Sequence, residues 1–81
     1  MPKLRVLSGQ DVLKCLAAHG FERHSQNGSH IKLRRVTGQQ AQTLTIPNHK
    51  ELDRGTLQAI YHQALRFIPD SELRPYFYTE F

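Results

Sequence analysis

The chain has 81 residues, 38% hydrophobic and 22% charged, with a formal net charge of +4 at pH 7. That length supports one domain over residues 1–81, and a domain of this size buries only about 60% of its unfolded surface, which excludes a deep cofactor cavity beside the core. No apolar run nears the ~20 residues of a membrane span, the opening Met1–Arg5 has no apolar signal segment behind it, and the lone Cys15 excludes an internal disulfide or a cysteine-based zinc site; a reducing cytoplasm is the expected compartment.

Pro2–Leu7 reads as a short extended segment. Ser8 is a good helix N-cap, with Asp11 three residues on as its capping-box partner. Val12, Leu13, Leu16 and Ala17 recur at helical spacing. Gly20 stops this helix, predicted over Gly9–His19, as a left-handed residue, with His19 in the last turn. Two extended runs follow, Phe21–Gln26 and His30–Arg35, around a hairpin signal at Asn27-Gly28-Ser29. A three-residue loop sets Gln26 opposite His30. It puts Phe21, Arg23, Ser25, Ile31 and Leu33 on one face, and Glu22, His24, Gln26, His30, Lys32 and Arg34 on the other. Glu22 then faces Arg34, a favourable cross-strand pair, and Arg23 on the core side is tolerable only near an edge. Gly38 marks the next turn.

Gln42–Ile46 is the third predicted strand, with Leu44 and Ile46 inward and Thr43 and Thr45 outward, and Pro47 ends it. Asn48–Gly55 is a polar loop. Thr56 caps a second helix whose stripe is Leu57, Ile60, Tyr61, Ala64, Leu65 and Ile68, and Pro69 breaks it. Residues 8–68 form the expected core of the domain. The tail, residues 69–81, holds at most one short turn around Glu72–Tyr76. Its Tyr76, Phe77, Tyr78 and Phe81 suit either packing on the thin core, an interface with a protein partner, or a homodimer contact. The order α-β-β-β-α defines an α+β fold in which two helices cover one face of a three-stranded antiparallel sheet. The opposite face stays open and carries His24, His30, Lys32, Arg34, Thr43 and Thr45.

Charge supports a function on that face. Residues 1–50 hold eight basic and two acidic side chains, a net of +6, whereas residues 51–81 hold three and five, a net of −2. A basic body attracts phosphate. His30 follows Gly28-Ser29, and an imidazole can take a proton near neutral pH and return it. Beside a bound phosphate it suits cleavage of RNA without a metal: removal of the ribose 2′-OH proton, attack on phosphorus, and release of a 2′,3′-cyclic phosphate and a 5′-OH. Lys32 and Arg34, at period two along the same face, suit contacts to the phosphate. Gly28 allows close backbone approach, and Ser29 can bond a phosphate oxygen. His24, opposite Lys32 in this register, is a second proton-transfer candidate. His19, His49 and His62 read as structural or solvated. The histidine spacings match no metal-ligand pattern, no phosphate-binding glycine motif of nucleotide enzymes is present, and no cofactor is expected. Cys15 sits beside the buried stripe as a packing residue.

Two blocks, Ser8-Gly9…Leu13…Leu16…Gly20-Phe21…Gly28-Ser29-His30 and Ile46-Pro47-x-His49-Lys50-x-Leu52-x-x-Gly55-Thr56-Leu57-x-x-Ile60, together resemble the HicA (YcfA-like) toxin family over roughly residues 8–68. The resemblance implies a double-stranded-RNA-binding-domain-like fold, mRNA interferase activity and neutralisation by a cognate HicB-type antitoxin. It also implies that the catalytic histidine is the one in Gly-Ser-His, here His30. A module of the same fold that grips RNA without cutting it, and a subunit that only docks a protein partner, are the alternative readings of the same face.

Overall fold

The computed structural model describes residues 2–79. Its first long element, α1 (Gly9–Ala18), starts as a reciprocal capping box. The Ser8 hydroxyl accepts from the Asp11 N–H at 3.0 Å, and the Asp11 carboxylate accepts from the Ser8 N–H at 2.9 Å. These bonds hold the Asp11 carboxyl below the ordinary carboxylate range. Val12, Leu13, Cys15 and Leu16 are buried on one side of the helix. Gly20, at φ +89°, turns the chain after it.

Three antiparallel strands follow in the order of the chain: β2 (Glu22–Asn27), β3 (His30–Thr37) and β4 (Gln40–Pro47). A two-residue strand, β1 (Lys3–Leu4), precedes α1 in the opening segment. Ile31, Leu33, Leu44 and Ile46 are buried beneath α1 and α2 (Arg54–Ala64), while Lys32, Arg34, Thr43 and Thr45 are exposed. The predicted α+β architecture, with a three-stranded antiparallel sheet and one open face, is thus the one observed.

The hairpin register differs from the prediction. Asn27, not Gln26, pairs with His30. The loop is therefore the two residues Gly28-Ser29, with glycine in the first central position at φ +61°, as a II′ turn requires. A two-residue loop alone would put the start of β2 out of phase with its apolar face. A bulge between Arg23 and Ser25 restores the phase. Glu22 faces Arg34 and Arg23 faces Leu33, as predicted. Nearer the turn the faces exchange: Ser25 lies opposite Lys32 and Asn27 opposite His30, both on the open side, while Gln26 lies opposite Ile31 on the helix side. His24 is not opposite Lys32; it occupies the bulge.

The second helix begins earlier than the prediction. Asp53, not Thr56, is its N-cap: the Asp53 carboxylate accepts from the Thr56 N–H at 3.2 Å and from its hydroxyl at 2.6 Å. Leu57, Ile60, Tyr61, Ala64 and Ile68 are buried as predicted, but Leu65 is exposed because the helix ends at Ala64 and the chain turns there.

The tail forms more structure than one turn. It makes α3 (Asp70–Phe77), which tolerates Pro75 near its end, and β5 (Tyr78–Thr79), which pairs antiparallel with β1. Leu73 and Phe77, one helical turn apart, are fully buried and belong to the same core as α1, α2 and the sheet. Tyr61 sits edge-on to both Phe77 and Tyr78. Of the tail aromatics, Phe77 packs on the core, Tyr78 is partly buried against it, Tyr76 is exposed, and Phe81 lies outside the described residues.

Candidate nucleic-acid interface

His30 opens β3 directly after the Gly28-Ser29 turn, and its position is fixed from three sides. Pro47 is its partner on β4 and Asn27 its partner on β2. The Ser29 carbonyl accepts a short 2.6 Å hydrogen bond from the Asn48 N–H. Asn48 is itself tied to α1, since its side-chain oxygen accepts from the Gln10 amide at 2.8 Å. One residue further, the His49 carbonyl accepts from the Gly9 N–H at 2.8 Å. Gly9 is the residue that lets the helix come this close: a Cβ there would lie 2.2 Å from the Pro47 carbonyl oxygen. The two sequence blocks, Gly-Ser-His and Pro-x-His-Lys, therefore meet at one corner of the sheet, with the start of α1 as the third partner.

From this corner the open face runs along β3. His30, Lys32 and Arg34 are all exposed, at a spacing of about 6.7 Å for each two-residue step. Ser25 and Asn27 from β2 and Thr43 and Thr45 from β4 flank them with neutral hydrogen-bonding groups. Ser25 and Asn27 are the open-face neighbours that the three-residue loop misplaced. The Gly-x pair of a II′ turn is the sequence signal that identifies them.

His24 lies away from His30. It lines a concavity of about 460 Å³ at the start of β2, together with Gly20, Glu22, Arg23, Arg34, Arg35 and Val36. It is thus three residues along β2 from the position facing His30, about 10 Å, and the arrangement does not bring the two imidazoles together for a shared proton transfer.

Arg35, next to this row, has a different task. It points to the helix side, opposite Gln42. Its guanidinium donates to the Gln42 side chain at 2.8 Å and to the His19 and Phe67 carbonyls at 2.9 Å each, and lies 4.8 Å from the Phe21 ring centre. One cation thereby satisfies chain ends left by both α1 and α2. Cys15 and His19 belong to the packing of α1. Burial pushes the Cys15 thiol up to about 11, which keeps it protonated. The His19 Nδ1 is 2.9 Å from the Cys15 carbonyl. His49 and His62 are exposed. Among the described residues no three His, Cys, Asp or Glu side chains gather as a metal site, and no helix is long and apolar enough to cross a membrane.

Fold and face together define a small α+β domain with an uncovered cationic sheet and a turn-borne histidine at its corner. The family described as the HicA toxin of bacterial toxin–antitoxin systems matches residues 9–65, well over half of the chain, and the protein belongs to that family. Its role is accordingly that of the toxin in a toxin–antitoxin pair. Comparison with curated proteins and with solved structures gave no significant match.

Proposed function

We propose that this toxin is an endoribonuclease that cuts mRNA in the cytoplasm through His30 and is silenced by a HicB-type antitoxin. The observation that carries the reading is the exposed His30, held at a braced corner with Lys32 and Arg34 in line beside it. In the cleavage step the neutral imidazole takes the proton of a ribose 2′-OH. The oxygen attacks the adjacent phosphorus, the bond to the 5′-oxygen breaks, and the imidazolium returns the proton to that leaving oxygen. The products are a 2′,3′-cyclic phosphate and a 5′-OH. Gly28 and Ser29 admit the backbone of the substrate to the turn. Lys32 and Arg34 hold phosphates and offset the charge that develops on phosphorus. His24, at the far end of β2, contacts RNA rather than moving protons. An antitoxin that covers this row must present acidic groups to it.

His30→Ala tests the reading. The variant is expected to lose RNA cleavage and growth inhibition, while its affinity for a short RNA stays within about threefold of the wild type. Cleavage by the wild type is expected to persist in excess chelator and to leave cyclic-phosphate ends. Undiminished cleavage by His30→Ala overturns the assignment of the histidine. RNA binding without cleavage by either protein supports a module that only grips RNA.

A further inference from the structure

The open-face side chains of β3 step from His30 to Lys32, Arg34 and Val36. Each step of about 6.7 Å matches the distance between adjacent phosphates of an extended RNA strand. A strand cut at His30 and laid along β3 sets its next phosphates at Lys32 and Arg34. About 13 Å from His30, this path reaches the concavity whose wall includes Glu22, His24, Arg34 and Val36.

Three features make that concavity unlike the row leading to it. Glu22 is the one acidic residue between positions 22 and 47. The same wall carries Arg23, Arg34 and Arg35, so the concavity still attracts an RNA strand, and the carboxylate is the one anionic side chain in it, an acceptor for a neutral donor. Glu22 and Arg34 stand opposite each other on the two strands, yet no ion pair joins them among the described residues. The carboxylate is thus presented to a ligand as an acceptor, beside the arginine that meets the strand's phosphate. Val36 is 60% exposed, and with the exposed His24 it offers apolar and ring surface of the kind on which an unstacked base rests. Guanine answers these features. Its N1–H and N2–H₂ are adjacent donors that match the two oxygens of the Glu22 carboxylate, and its flat ring suits the surface that His24 and Val36 offer.

We infer that the concavity at the bulged start of β2 is a guanine subsite, engaged two or three nucleotides from the cleaved phosphate. The inference takes its register from the cleavage reading above, but binding tests it separately. The probes are uridine octamers carrying one guanosine, one inosine or neither, titrated against His30→Ala by fluorescence anisotropy. The guanosine strand is expected to bind about tenfold tighter than the uridine strand. Inosine, which lacks the 2-amino group, is expected to lose most of that gain. Glu22→Gln in the same background is expected to erase the gain while binding the uridine strand at least as tightly, and to melt within a few degrees of its parent. With the wild type, moving the guanosine is expected to move the cut by the same number of nucleotides. Equal affinity for the guanosine and uridine strands, or no measurable affinity for either, overturns the subsite and leaves the concavity to a protein partner. A guanosine gain that survives Glu22→Gln also overturns it. Because the binding arm uses protein that does not cut, a failure of the cleavage reading does not mask the result.

Discussion

Tyr61 shows how one side chain ties the tail to the core. Its ring is buried against Phe77 and Tyr78, and its hydroxyl donates to the Asp70 carboxylate. Burial, reinforced by that bond to an anion, raises the phenol from 10.0 to about 12. A group that holds its proton more tightly when folded contributes stability below its unfolded value and loses it as the pH rises through the folded one. The melting temperature of the wild type is therefore expected to fall between pH 10 and about 12 more steeply than that of Tyr61→Phe, as followed by circular dichroism. Parallel curves for the two proteins would remove the phenol from the account. The place of His30 on the open face was legible at this scale, because it follows the Gly28-Ser29 turn and alternates with the buried Ile31 and Leu33. Its neighbours were less so. Ser25, Gln26 and His24 change places through a single bulged residue, and period-two alternation carries no mark of where an extra residue enters a strand.

At the scale of elements, amphipathic stripes located α1, α2 and the sheet, since each buries its apolar side against the others, while the cap was legible at α1 and was placed three residues late at α2. The tail was harder to read because Pro75 argues against a helix, whereas the burial of Leu73 and Phe77 on one side maintains it. Arg35 was also opaque: it ends a basic run whose other members face solvent, and only the assembled helices supply its carbonyl partners. Removing its side chain strands the His19 and Phe67 carbonyls and exposes the Phe21 ring face. Arg35→Ala is expected to destabilise the fold by about 2–4 kcal/mol, given ~1.5–3 kcal/mol for a hydrogen bond to a charged group and incomplete additivity. Urea unfolding measures this. A loss under ~0.5 kcal/mol would show that water replaces the guanidinium at little cost.

For the whole molecule, the separation of charge dominates. Net charges of +6 in residues 1–50 and −2 in residues 51–81 place the cationic excess in the part that builds the sheet. If two or three phosphates are neutralised there, the logarithm of RNA affinity is expected to fall with the logarithm of salt concentration at a slope of about −1.5 to −2, each contact to a single strand contributing about −0.7. Lys32→Ala is expected to flatten that slope by about 0.7. An unchanged slope would take Lys32 off the phosphate path.

The pairing of β1 with β5 has an architectural consequence. Lys3 lies directly across from Thr79, so the two backbones run one strand spacing apart, about 4.8 Å. A peptide of a few residues is enough to weld the ends of the described chain into a closed ring. Such a circle would restrict the denatured polymer rather than the native one. It would also free a new break point for the Gly38-Gln39 hairpin tip, which joins Thr37 to Gln40.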